Sequence, residues 1–256
     1  MARKVILCVL MCLCLCGGAR AQYARDTLDR QSFRPAQLIA PALLAGAGLS
    51  IHFLGHDAVE VPIRTFVQDN VRKGVPASEV TGYVRWVPGA MHLSLGLLGV
   101  PSRHAFVDRS IEDVISFGFC LGGGYLLKKA FHGERPGGGE FDSFPSGHCM
   151  IAFTGAELMR MDYGWAWGGG AYALAAVIGG ERLLVDRHWL GDVLAGAGFG
   201  ILSAHVGGWL LDPVKSLFGI PDVGWDGLSG RRTAVAFHAS ADPLSGTPLA
   251  GVSVSF

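Results

Sequence analysis

Six side chains in this sequence have the types and spacings of an anion-handling centre: the cations Lys128, Arg135 and Arg182, the imidazoles of His148 and His188, and the carboxylate of Asp192. Lys128 closes an apolar run and Arg135-Pro136 follows shortly after, so both cations enter one loop. Pro145-Ser146-Gly147-His148 ends that loop where the next apolar run begins. A helix start there leaves the N–H groups of Ser146 and Gly147 unsatisfied at the positive end of the helix dipole, a natural seat for an anion. Pro145 fixes the approach and Gly147 admits a ligand close to the backbone. Asp192 follows His188 by four residues, which on a helix puts carboxylate and imidazole on one face. A carboxylate so placed holds one ring nitrogen and leaves the other as nucleophile or base. Together the cations and backbone donors would spread the charge of a five-coordinate phosphoryl group. His188 would attack it covalently, and His148 would protonate the leaving group. This is a phosphate site that calls for no metal.

Taken singly, the same residues have simpler roles. Lys128 and Lys129 suit a helix C-terminus, Ser146 suits an N-cap, and Asp192 suits a solvated helix face. His104 and His132 match no motif and read as surface residues. Cys149 beside His148 suggests a cysteine phosphatase, but that chemistry needs an arginine six positions later, where Gly155 stands. There is no Gly-Lys-Ser/Thr loop and no His/Asp cluster with two-metal spacing.

The elements that must position these groups read as helices. Apolar or amphipathic stretches run at about 37–55, 83–100, 111–130, 148–161, 164–183 and 189–212, broken by Gly, Pro and charged loops. The expected fold is mostly α, a six-helix bundle, with 57–73 as an added surface helix. Residues 163–180 and 193–211 come nearest to the length of a bilayer span, whereas Glu157 and Arg160 spoil 148–161. The C-terminal RTAVAFHASADPLSGTPLAGVSVSF alternates apolar with small or polar residues around a turn and predicts a small β-hairpin docked on the bundle.

The chain is 50% hydrophobic and 16% charged, oilier than an ordinary soluble domain, so membrane contact is expected. With 21 basic against 21 acidic residues and no charge block, a nucleic-acid surface is excluded. The N-terminus has Arg3 and Lys4, an apolar run from Val5 to Cys16, and Ala19-Arg20-Ala21, the pattern of a secretory signal cleaved after Ala21. An uncleaved anchor and a lipoprotein site at Cys16 are the alternatives, the latter disfavoured by bulky Leu15. Cleavage would leave Cys120 and Cys149, which rules out a disulfide scaffold but leaves open whether these two pair. The expected organisation is 1–21 signal peptide, 22–215 helical domain and 216–256 C-terminal extension. If the first three helices all spanned after signal cleavage, Lys128 and Arg135 would face the cytoplasm. Arg85, Pro88, His92, Glu112 and Asp113 interrupt those helices, so a bundle wholly on the outer side is expected. The alternative is an uncleaved N-terminus inside with six true spans.

The segments Lys128 to Pro136, Pro145 to His148, and Arg182 to Asp192 resemble the three-part signature of the type 2 phosphatidic acid phosphatase superfamily, K-x6-R-P, P-S-G-H and S-R-x5-H-x3-D. The resemblance covers roughly residues 110–212 and departs from the pattern at Glu181, where the family has Ser. That carboxylate is expected to face away or to steady Arg187. The resemblance implies a metal-independent, extracytoplasmic phosphatase of the membrane or periplasm, with vanadate as inhibitor and no cofactor. It would act through phosphohistidine on His188, with Asp192 orienting it, His148 as general acid, and Lys128, Arg135, Ser146, Gly147 and Arg182 holding phosphate. The implied partners are the membrane and an envelope lipid phosphate: phosphatidic acid, phosphatidylglycerol phosphate, undecaprenyl diphosphate or lipid A. The competing readings are a broad-specificity secreted acid phosphatase, a vanadium-dependent haloperoxidase of the same superfamily, and a noncatalytic envelope protein.

Overall fold

The computed structural model describes residues 33–72, 81–98 and 100–220, together with the backbone of 234–241 and 248–255. The expected signal peptide lies outside the described residues. A short turn, Pro35–Leu38, leads into α1 (Ile39–Leu54). A helical stretch from His56 to Val71 follows, with α2 (Val61–Phe66) at its centre. Then come α3 (Thr81–Val84), α4 (Val87–Leu97), α5 (Phe106–Phe131), α6 (Gly147–Leu184) and α7 (Leu190–Phe218).

The described residues are mostly α, as expected, but form seven α-helices rather than six. Short α2 and α3 add to the count, while the expected helices 148–161 and 164–183 run as the single element α6. That element is broken at Gly164, whose φ of 76° and ψ of −176° are open essentially to glycine alone. Two backbone strands, β1 (Ala234–Ala241) and β2 (Pro248–Ser255), pair antiparallel with Ala234 opposite Ser255. Their side chains, and with them the expected docking on the bundle, lie outside the described residues.

Helix α7 is the axis, packed against α1, α5 and α6. Its small-residue face permits this. A Cβ at Gly196 would meet the Ser146 carbonyl oxygen at 2.6 Å, so glycine lets the start of α6 sit directly on α7. The core joins Leu95 of α4 to Ala152, Ala156, Met159 and Tyr163 from one half of α6 and Ala171, Ala175 and Ile178 from the other. Cys120 and Cys149 are both buried and unpaired. Burial pushes their thiols up, to about 11 and about 12, which makes them packing groups rather than nucleophiles.

Among the described residues, Pro35–Leu54 and Leu190–Phe218 are long and apolar enough to cross a membrane, and 163–180 is not. The second lies mostly inside the bundle, so packing accounts for its apolarity; the first is almost wholly on the outside. Leu54, Val114 and Leu217 are 88%, 75% and 78% exposed, part of an unusually apolar exterior.

Candidate active site

Three junctions meet at one end of the bundle. Helix α5 ends at Phe131, with Lys128 and Lys129 in its last turn, where cations suit the dipole. Helix α6 starts after Ser146, so His148 lies in its first turn. Helix α7 starts at Leu190 with Trp189 as its N-cap. The Ser146 N–H donates to the Asp192 carbonyl at 3.0 Å, which stitches the last two starts together.

His188 therefore precedes α7 rather than riding on it, which corrects the expected helix-face pairing with Asp192. The two still meet, because Asp192 is the third residue of α7 and reaches back. Its Oδ2 accepts the Trp189 N–H at 2.9 Å, as an acidic residue in a first turn does. The same oxygen accepts the Ser143 hydroxyl and lies 3.5 Å from His188 Nδ1. Ser143 Oγ is itself 3.4 Å from that ring nitrogen. His188 is buried, and burial, reinforced by Lys128 and Arg135, holds its pKa below the usual value against the pull of Asp192. A neutral imidazole with Nδ1 turned to Asp192 and Ser143 keeps a lone pair on Nε2, the form a nucleophile needs. Behind Asp192, His52 Nδ1 lies 3.4 Å from Oδ1. Buried Glu60 accepts the Gly191 N–H at 2.9 Å, anchoring the first turn of α7.

His148 faces cations. Arg85 Nη1 lies 3.3 Å from its Nε2, and Arg182 Nη1 lies 3.4 Å from the same atom. Burial first, then Arg182 and Arg85, push its pKa down to about 3. With no anion present this histidine is neutral, and a dianionic phosphate between it and the arginines would restore its basicity. Arg182 is held by Thr81 and by Glu181, whose Oε2 accepts its Nε at 2.5 Å. Glu181 thus neither faces away nor steadies Arg187; it braces Arg182 and also accepts the Thr81 hydroxyl at 3.2 Å. Arg187 pairs instead with Glu140 at 3.1 Å.

The remaining predicted residues close the other side. Lys128 donates to the Asp142 carbonyl, and burial lowers its ammonium pKa. Arg135 pairs with Glu140 and, through Nε at 2.9 Å, with Asp142. Burial pushes Asp142 up, but Arg135 and Lys128 outweigh it and hold the carboxyl below its usual range. Gly147 sits beside Lys128: a Cβ there would lie 3.8 Å from the lysine Cε. Ser146 does not offer its N–H to a ligand, since Asp192 takes it, but its buried Oγ has no partner. All eight predicted site residues thus belong to one connected cluster, extended by Arg85, Thr81 and Ser143. An arginine between Tyr83-Val84 and Trp86-Val87 was the available signal for Arg85; Thr81 and Ser143 carried none. Of the two histidines read as surface residues, His132 is exposed and His104 is not, being bonded to Asp162 at 2.7 Å.

The bundle sets two histidines and an aspartate among a lysine and arginines at its helix ends, a set of groups whose chemistry suits a phosphate. Residues 101–212 match the PAP2 superfamily. Among curated proteins it is similar to "Lipid A 1-phosphatase" of Porphyromonas gingivalis, 32% identical over 168 residues, which is 60% of this chain. The chain spans 37% of the length of that relative. Among solved structures it has a looser likeness to a transmembrane PAP2 type phosphatidylglycerolphosphate phosphatase from Bacillus subtilis. There the identity is 19%, the coverage 83% of this chain and 96% of that one, and the TM-score 0.35.

Proposed function

We propose that this protein is a phosphatase that removes phosphate from an envelope lipid phosphomonoester or diphosphate through a phosphohistidine on His188. The observation that carries the reading is the dyad itself: a buried, neutral His188 with Nδ1 toward Asp192 and Ser143, in a pocket that also gathers Lys128, Arg135, Arg182, Arg85 and His148.

His188 Nε2 attacks phosphorus, and the bond from phosphorus to the leaving oxygen breaks. Lys128, Arg135, Arg182 and Arg85 balance the charge on the equatorial oxygens, joined by the first-turn N–H groups of α6. His148, recharged by the bound phosphate, gives its proton to the leaving oxygen. It then takes one from the water that cleaves the phosphohistidine, and inorganic phosphate departs. No step in this scheme draws on a metal.

The apolar exterior and exposed α1 fit a protein that works at a lipid surface, and the secretory-signal pattern of residues 1–21 supports a site outside the cytoplasm. Lipid A carrying a 1-phosphate is the first substrate to test, followed by phosphatidic acid, phosphatidylglycerol phosphate and undecaprenyl diphosphate. Acid-labile label from a radioactive lipid phosphate should be trapped on wild-type protein and be absent from His188→Ala, with turnover lower by several orders of magnitude. Near-normal turnover in that variant would sink the mechanism. Peroxide-dependent bromide oxidation by vanadate-loaded protein would replace it with the haloperoxidase reading.

A further inference from the structure

Away from the phosphate pocket, α4, α5 and α6 bring a second set of ionisable groups together in the interior. His92 of α4, Glu112 of α5 and Asp162 of α6 are each 0% exposed. His92 Nε2, or its ring partner, and one carboxylate oxygen from each of the other two lie within 4.8 Å of one another. His92 Nδ1 lies 2.7 Å from Asp113, and its Nε2 lies 3.1 Å from Asp162. His104 Nδ1 is 2.7 Å from the other oxygen of Asp162 and 3.6 Å from Glu112. Both carboxylate oxygens of Glu112 are buried with no hydrogen-bond partner.

We propose that His92, Glu112 and Asp162 bind a divalent cation of the zinc type in a closed structural site, with the His104 imidazole beside Asp162 and Glu112. Three features point there. A mixed imidazole and carboxylate set is what zinc takes, and structural sites of this kind are buried and closed. The Asp113 carboxylate on His92 Nδ1 is the outer partner that fixes a metal-binding imidazole, turning Nε2 with its lone pair inward. The unpartnered Glu112 is the third. A buried carboxylate without a donor is costly, and a cation at its oxygens removes that cost.

Arg109 gives Glu112 no hydrogen bond: its Nη1 donates to the His92 carbonyl at 2.9 Å and to the Tyr163 hydroxyl, and its buried Nε has no partner. Charge points the same way: Asp113, Glu112 and Asp162 face Arg109, with Arg103 near His104, and a dication with neutral imidazoles offsets the carboxylate charge that remains. Two imidazolium protons would balance the same charges, yet they would leave Glu112 without a hydrogen-bond donor. The cation would tie three helices together beside the break at Gly164, supporting the scaffold of the pocket without touching substrate.

The test uses purified full-length protein, stripped with a chelator under mild denaturation and dialysed back into zinc. Stoichiometric zinc should survive gel filtration, and the melting midpoint should rise as zinc is added. Glu112→Gln should lose the zinc and the midpoint response, whereas His188→Gln should keep both. Cobalt added to stripped wild type should give a visible ligand-field spectrum that saturates stoichiometrically and is displaced by zinc, a reading that survives if Glu112→Gln fails to fold. No zinc retained and no cobalt spectrum in wild type, or undiminished zinc in folded Glu112→Gln, would overturn the site. None of these readouts is turnover, so failure here and failure of the phosphatase reading are told apart.

Discussion

Arg85 Nη1 sits 3.3 Å from His148 Nε2, a cation directly against an imidazole. Burial first, then Arg182 on the same atom and Arg85, keep His148 neutral until an anion arrives. Arg85→Ala removes one of the two charges and should move the His148 titration upward from about 3, read by NMR of the histidine ring. It should also weaken inhibition by inorganic phosphate several-fold, because a guanidinium that faces the anion is lost. An unchanged titration would show that burial alone sets the value.

His148 as proton donor makes a prediction about leaving groups. His148→Ala should slow hydrolysis of alkyl and lipid phosphates by about 10²–10⁴-fold. An aryl phosphate whose leaving group needs no proton should lose much less. Equal losses for both substrate types would assign His148 to binding instead.

Glu181 puts a negative charge against Arg182, which this site would otherwise turn wholly toward phosphate. Glu181→Ser should therefore tighten vanadate inhibition by a few-fold, with Thr81 still holding the arginine in place. Looser inhibition would mean that orienting Arg182 outweighs neutralising it.

Vanadate imitates five-coordinate phosphorus and should inhibit competitively. Chelator added to the assay should leave turnover unchanged, since in the proposed mechanism cations from side chains do the charge balancing and the proposed zinc lies in a closed site elsewhere. Prompt loss of turnover in chelator, with recovery on adding a divalent ion, would place a metal in the reaction itself.

Gly196 lets the start of α6 rest on α7. Gly196→Leu should destabilise the protein by about 1–3 kcal/mol. It should also reduce turnover more than substrate affinity, because His148 and the His188–Asp192 dyad belong to the two helix starts that it would force apart. Calorimetry and steady-state kinetics check the two effects separately.

The motif residues were legible because each group lies within a short contiguous stretch, and local spacing decides which loop or helix start a side chain occupies. Lys128 with Arg135, Ser146 with His148, and His188 with Asp192 are such groups. Even there, local reading misplaced His188, because helical spacing alone does not reveal that Trp189 is a cap and that Asp192 reaches back over it. Contacts between distant segments were not legible. Arg85 reaches His148 across 63 positions, Ser143 reaches Asp192 across 49, and Thr81 reaches Arg182 across 101. The buried group at 92, 112 and 162 has the same origin, since three helices must pack before its members meet. Sequence by itself determined the helical elements and the chemical inventory of the pocket, through hydrophobic periodicity and residue type. Only tertiary structure decided which charges face which histidine, because helix packing sets the distance and burial on which each pKa depends.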